Sequence, residues 1–258
     1  MPIALITGAS TGLGREFARL CAHDGYDVVL ISRSLQQLET LAAEIQRDTN
    51  RAVRVIEKDL SIPDAAREVF DELTSAGLQI ELLINNAGFG LVGRFWQLSE
   101  EEQMQMIQLN VGALTHLTRL FLPGFVQRRR GYVLNVASTA AFQPGPLMAV
   151  YYATKAYVVS FSEALHNEVR DHGVTVTALC PGPTKTEFDK RAGGTGTKLF
   201  QGRNVMNASA VAQIGLVAMR AGKPLVIAGR INAVMAFLTR FAPRQFAASM
   251  ARRFQEAK

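Results

Sequence analysis

Short runs of Val, Ile and Leu alternate along almost the whole chain with segments whose apolar residues recur at helical spacing. This alternation most narrows what the 258 residues can fold into. The runs fall at residues 3–7, 28–32, 53–57, 82–85, 132–136, 174–179 and 225–227. They are short and rich in Val, Ile and Leu, as expected for strands covered on both faces. Between them lie stripes such as Leu35, Leu38, Leu41 and Ile45, or Val69 and Leu73, which mark helices with one buried side. Strand, helix, strand in repeated succession requires right-handed crossovers and parallel pairing. The expectation is an α/β fold, a doubly wound seven-stranded parallel sheet with helices on both faces in a single domain. No linker or internal repeat divides it.

Composition removes several classes. With 48% hydrophobic and 19% charged residues the chain is globular, and at this length it hides a large core without disulfides or metal. Cys21 and Cys180 sit among apolar neighbours and read as buried free thiols, which suits a reducing compartment. Residues 1–7 have no basic opening or long apolar stretch and run straight into a glycine motif, so they read as mature structure, with a cytoplasmic location as the default. No apolar run approaches the roughly 18 residues of a membrane span. The formal charge is +6, but the basic residues are dispersed, and the tight run Arg128, Arg129 and Arg130 reads as a solvated helix end. Aromatic residues do not interleave with the charges, so no nucleic-acid partner is expected. The four histidines are scattered singly, and no metal is expected.

The first strand leads directly into Thr7-Gly8-Ala9-Ser10-Thr11-Gly12-Leu13-Gly14. Glycines there permit a tight turn and close backbone approach to a pyrophosphate, which the following helix N-terminus would hold. At the end of the second strand, Ser32-Arg33-Ser34 offers no acid for a ribose 2′-hydroxyl. A guanidinium at Arg33, with the hydroxyls of Ser10, Ser32 or Ser34, suits a 2′-phosphate instead, so NADP(H) is the expected cofactor. Further along, Tyr151 and Lys155 are four residues apart and share one helix face. A nearby ammonium would lower the phenol pKa towards the working range. Ser138, at the C-terminal end of the fifth strand, lies where open α/β sheets bind ligands and can donate to a developing oxyanion.

Taken in order, Thr7–Gly14, Asp59-Leu60, Asn85-Asn86-Ala87-Gly88, Asn110, Ser138, Tyr151/Lys155 and Pro181-Gly182 make the chain resemble the short-chain dehydrogenase/reductases from Pro2 to about Thr186. The resemblance implies a Rossmann-like fold and interconversion of a ketone or aldehyde with an alcohol. Tyr151 would be the acid/base, Lys155 would tune it and bind the nicotinamide ribose, and Ser138 would polarise the substrate oxygen. Asn110 would hold a water linking Lys155 to solvent. Asp59 and Leu60 would flank the adenine, and Asn86, with Ala87 and Gly88, would support the cofactor beside the central strands. Pro181, Gly182, Thr184 and Thr186 would line the nicotinamide. A cofactor-binding regulator is the rival reading, and the presence of both Tyr151 and Lys155 argues against it.

Phe89, Val92, Phe95, Trp96, Phe142, Gln143, Met148, Phe188, Leu199 and Phe200 are candidate pocket residues, which favours a hydrophobic, lipid-like or steroid-like substrate. Residues 1–230 are read as the dinucleotide-binding and catalytic part, with a Gly- and Thr-rich substrate lid at about 188–210. Residues 231–258 are read as a basic amphipathic extension of the same domain. Apolar stripes (Ile231, Val234, Met235, Leu238; Phe246, Met250, Phe254) interleave there with Arg240, Arg244, Arg252, Arg253 and Lys258. That segment is expected to pack in an oligomer or cap the site, with weak contact to a membrane surface as a further reading. Apolar helix faces near residues 110–126 and 151–170 suggest a homodimer or homotetramer.

Overall fold

The computed structural model describes residues 1–188, 192 and 205–255. Strands β1 (Ile3–Thr7), β2 (Asp27–Ser32), β3 (Val53–Glu57), β4 (Ile80–Asn85), β5 (Gly131–Val136), β6 (Val174–Cys180) and β9 (Leu225–Ile227) form one parallel sheet, ordered β3-β2-β1-β4-β5-β6-β9. A separate short pair joins β7 (Thr184–Lys185) to β8 (Met206–Asn207). The helices are α1 (Gly12–His23), α2 (Leu35–Thr49), α3 (Ala65–Ser75), α4 (Glu100–Ile107), α5 (Leu114–Arg128), α6 (Ala149–Val169), α7 (Ala208–Arg220), α8 (Arg230–Leu238) and α9 (Arg244–Gln255). All seven expected strands of the sheet are present, their ends shifted by at most two residues. Most of the lid expected at about 188–210 lies outside the described residues.

The period of two along each strand sorts its apolar residues between two cores. Ala4, Ile6, Val28, Leu30, Leu82 and Ile84 face α1, α2 and α7, where Phe17, Cys21, Leu38, Leu41, Val211 and Leu216 are buried. Leu5, Val29, Ile31, Leu83 and Val133 face α3 and α5, against Val69, Leu73, Leu117, Phe121 and Phe125. Each fully buried Leu or Ile contributes about 2 kcal/mol over its exposed state, so neither face can be left open. Cys21 and Cys180 are buried free thiols, pushed up to about 12 by burial. The three arginines at the end of α5 hold the fold together locally. Arg128 donates to the Ile80 carbonyl (2.9 Å), Arg129 to the Asp171 carbonyl (2.9 Å), and Arg130 pairs with Glu81 (2.9 Å).

Strand order reverses between β1 and β4, so the loops after them diverge and open a crevice at the carboxyl edge of the sheet. Beneath that crevice runs a buried polar chain with no counterpart in the sequence-based expectations. Asn85 and Asn135 are register partners on β4 and β5. The Asn85 amide donates to Asn135 Oδ1 (2.9 Å) and Thr118 Oγ1 (3.0 Å), and the Asn135 amide donates to Ser162 Oγ (2.9 Å). Thr118 and Ser162 in turn bond carbonyls of their own helices. Two strands, α5 and α6 are thereby fixed in relative register. Replacing Asn135 by Ala strips a buried donor and a buried acceptor of their partners, a loss of about 2–4 kcal/mol. Urea unfolding should show that loss as a lower midpoint, and a change below about 0.5 kcal/mol, the scatter of neutral surface substitutions, would contradict the role given to the network.

Candidate active site

After β1 the chain turns at Gly8 (φ +65°) and enters α1 at Gly12 (φ +55°), left-handed conformations that favour glycine. Space also demands it. A Cβ on Gly8 would stand 2.9 Å from Ala87 Cα, and one on Gly14 would overlap the Gly8 carbonyl oxygen and lie 2.6 Å from Asn86 Nδ2. The Asn86 amide donates to the Thr7 (2.9 Å) and Gly8 (3.1 Å) carbonyls. Thr7 Oγ1 accepts from the Asn86 and Ala87 backbone N–H groups, at 3.0 Å each. Thr11 gives α1 no side-chain cap, so its first-turn N–H groups face the crevice for an anion. The bare backbone and that helix end fit the pyrophosphate of a dinucleotide.

A cleft of about 1030 Å³ occupies the crevice. Every residue expected to hold the cofactor lines it except Gly14, which packs behind Gly8. At the far end, Arg33 is largely exposed and its guanidinium lies 3.6 Å from the Asp59 carboxylate. Burial acts to raise the Asp59 pKa, but hydrogen bonds from the Ser61 side chain and backbone, together with Arg33, hold it below the usual range. Lys58, which lines the same end and pairs with Glu68 (2.9 Å), was not among the expected residues.

Tyr151 and Lys155 occupy the first turns of α6 with both side chains buried, and Ser138 follows β5. The Ser138 side chain stands close enough to the Tyr151 phenol to favour its ionised form, and its Oγ accepts from the Ala140 N–H at 3.1 Å. Lys155 Nζ donates to the Val136 carbonyl (2.8 Å) and lies 5.8 Å from the Tyr151 ring centroid. The expectation that Lys155 makes this phenol acidic needs correction. In the chain itself burial raises the Tyr151 pKa, and the countering contact is Ser138. The ammonium bonds a strand carbonyl instead, and burial brings Lys155 down to about 8.

Asn110 lies in a π-helical segment, Gln108–Ala113, between α4 and α5; single π-turns within helices recur at functional sites. Its amide donates to the Phe89 carbonyl (2.9 Å) and Thr154 Oγ1 (3.1 Å), while Oδ1 accepts from Phe89 N–H (3.1 Å). Both amide hydrogens are spent, and one lone pair on Oδ1 remains. A Cβ on Gly88 would sit 2.9 Å from Asn110 Oδ1 and 3.5 Å from Lys155 Nζ, so these two groups flank Gly88.

The remaining wall is mostly apolar, with Phe89, Leu91, Val92, Met148 and Phe188 on one side and Met235, Leu238, Phe246 and Met250 from α8 and α9 on the other, and Glu102, Gln105, Gln143 and Glu187 are among its polar members. The α9 contribution includes Gln255, whose amide donates to the Tyr152 hydroxyl (3.0 Å) across 103 residues of chain. No local signal announces a contact of that span. Asn232 is a further unforeseen lining residue, packed where a side chain on Gly182 would stand. Three expected pocket residues lie elsewhere. Phe95 and Trp96 are exposed on a short 3-10 turn, with Arg94 over the Trp96 ring, and Phe142 packs against the buried cluster that holds Leu114, Val158 and Cys180. Leu199 and Phe200 lie outside the described residues. Among the described residues no group of three His, Cys, Asp or Glu could hold a metal ion.

The buried Lys155 has a signed consequence. Its folded pKa, about 8, lies below the ordinary 10.5. Between those values the unfolded chain therefore holds more protons, and stability rises with pH; the gain is lost as pH falls through about 8. The stability of wild type relative to Lys155→Met should accordingly increase from pH 7.5 to pH 10 in urea unfolding. A difference independent of pH would contradict the burial of a titrating amine.

Three comparisons bear on this geometry. The family model for short chain dehydrogenases matches residues 2–195. The chain is 37% identical over 198 residues to mouse (Mus musculus) 17-beta-hydroxysteroid dehydrogenase type 3, covering 76% of this chain and 64% of that protein. It thus spans less than two thirds of that relative's length. It is 32% identical over 239 residues to the very-long-chain 3-oxoacyl-CoA reductase of Rattus norvegicus, covering 90% of this chain and 75% of that one. Among solved structures, a short-chain dehydrogenase from Sphingobium yanoikuyae in complex with NADPH superposes with a TM-score of 0.82 at 33% identity, covering 93% of this chain and 94% of the other.

Proposed function

Because the chain belongs to the short-chain dehydrogenase/reductase family of oxidoreductases, we propose that it interconverts a hydrophobic ketone or aldehyde and its alcohol with NADP(H), using Tyr151 as the acid/base. One observation carries this reading. Tyr151 and Lys155 share the first turns of α6 at the cleft, and Ser138, just past the end of β5, acts on the Tyr151 phenol. A bound nicotinamide supplies or accepts the hydride. In reduction, Ser138 Oγ and Tyr151 Oη donate hydrogen bonds to the carbonyl oxygen, which becomes negative as its carbon gains hydrogen. Tyr151 then passes its proton to that oxygen; in oxidation the proton returns to Tyr151. The Lys155 ammonium, 5.8 Å from the Tyr151 ring centroid, offsets part of the charge of the transient phenolate, against the dominant effect of burial. The free lone pair on Asn110 Oδ1 suits a water that returns a proton from solvent.

The NADP preference is supported by Arg33 at the end of β2, where no acid stands for a 2′-hydroxyl, and by the NADPH in the Sphingobium relative. The apolar cleft walls support a lipid-like or steroid-like substrate, in keeping with the names of the curated relatives. We also propose a homo-oligomer through α5 and α6, whose outer side carries a Tyr157–Phe161 ring stack (5.5 Å between centroids) and a Thr115–Tyr157 hydrogen bond (2.9 Å). A cytoplasmic location is part of the same proposal and fits the two buried thiols.

NADPH oxidation with a panel of hydrophobic ketones tests the mechanism. Tyr151→Phe should lower kcat by roughly 10²–10⁴-fold while NADPH still quenches or enhances fluorescence as in wild type. Wild-type turnover by the Phe variant would refute the acid/base assignment. Arg33→Asp should move the ratio of kcat/KM for NADPH over NADH towards NADH by roughly tenfold or more, the loss of one charge-assisted pair. An unchanged ratio would remove Arg33 from cofactor selection.

A further inference from the structure

The helices α8 and α9 are inside out for an element surrounded by water. In α8 the residue turned fully inward is the small Ala236, and in α9 Ala247 and Ala251 are buried. Large side chains point the other way: Ile231, Val234, Phe237 and Phe241, none of which lines the cleft, are 56–73% exposed, and Leu238 and Phe246, on the cleft wall, are also more than half exposed. Of the 17 exposed large hydrophobic residues among the described ones, eight fall within residues 231–250. Phe237 and Phe241 meet edge to face at 5.3 Å on this outer side. A soluble helix normally buries its large apolar stripe and exposes its polar one, and a concentration of apolar surface like this marks an interaction face.

Charge says what the face meets. Dispersed as the basic residues are, the sign of the charge is segregated. Residues 1–189 carry 16 Lys and Arg against 21 Asp and Glu, a net −5. Residues 190–258 carry 12 Lys and Arg against the single acid Glu256, a net +11. No Asp or Glu occurs anywhere from 190 to 255. Arg230, Arg240, Arg244 and Arg253 are exposed on or beside the two helices. A second copy packed symmetrically on this face would set arginine against arginine, with no carboxylate from residues 190–255 to pair them. A bilayer of anionic lipid offers both things the face lacks, a hydrocarbon boundary for the aromatic and aliphatic side chains and phosphates for the guanidinium groups. None of the described helices is long and apolar enough to cross a membrane, so the geometry is that of a surface-lying pair.

We propose that α8 and α9 dock the protein on an anionic lipid surface, their apolar outer side sunk to the headgroup boundary and the arginines among the phosphates. Met235, Leu238, Phe246 and Met250 belong both to this exposed group and to the cleft wall, so the cleft mouth opens at the docking face. On the reading of the substrate given above, a lipophilic carbonyl reaches Tyr151 from the lipid leaflet. The docking itself does not depend on that reading.

Flotation of the full chain with vesicles tests it. Wild type should float with vesicles of equimolar phosphatidylserine and phosphatidylcholine, and roughly tenfold less with phosphatidylcholine alone or in high salt. Phe237→Ser/Phe241→Ser and Arg240→Glu/Arg244→Glu alter positions that do not line the cleft. Each pair should cut flotation roughly tenfold, with circular dichroism and turnover of a water-soluble carbonyl unchanged. Wild type that stays with the soluble fraction, or variants that float as well as it does, would overturn the proposal. So would a dimer that dissociates in the Phe pair without any vesicle binding, which would give the face to a second copy. Loss of docking with intact turnover would leave the oxidoreductase reading standing.

Discussion

The amide of Asn86 holds together what the topology pulls apart. Where β1 and β4 diverge, it bridges the carbonyls of Thr7 and Gly8, while Thr7 Oγ1 accepts from the backbone beyond β4. The brace lets the glycine loop leave β1 without a side chain of its own and still keep a single shape. Gly8 and Gly14 answer to the same constraint, because a Cβ on either would strike the loop or the brace. Without it the first turn of α1 would have no fixed relation to the loop after β4, and a ligand spanning both would meet two mobile walls.

The catalytic end rests on a different balance. Lys155 is buried with one strong hydrogen bond to a strand carbonyl, and Tyr151 is buried with Ser138 as its polar partner. Burial acts on the two groups in opposite directions, holding the proton on the phenol and loosening it from the amine. Burial thus keeps Tyr151 protonated and makes the Lys155 amine less basic than an exposed one. Asn110 and Thr154 fix the loop at Phe89 to α6, so Tyr151 and that loop are tied together.

Much of this was legible in the sequence, for identifiable reasons. The strands announced themselves because burial on both faces forces unbroken apolar runs, and the glycine motif because its spacing is tied to a turn that other residues cannot make. Tyr151 and Lys155 could be placed on one face by helical period alone. What escaped depended on distant chain segments meeting. Gln255 reaches Tyr152 from the last described helix, Asn135 finds Ser162 across a strand–helix boundary, and Asn232 packs on Gly182. Phe95 and Trp96 misled because an aromatic pair after a strand reads as pocket lining, whereas a 3-10 turn carries both outward. The direction of the Tyr151 shift was also beyond sequence, since spacing reveals that an ammonium is near but not how deeply the phenol is buried.

A crystal structure of the chain with NADPH and a bulky hydrophobic ketone would test the central claim most directly. The carbonyl oxygen should lie about 3 Å from both Tyr151 Oη and Ser138 Oγ, with the nicotinamide between Pro181 and the loop at Gly88. A ketone bound with its oxygen away from Tyr151, or a cofactor seated off the Gly8–Gly14 loop, would contradict it.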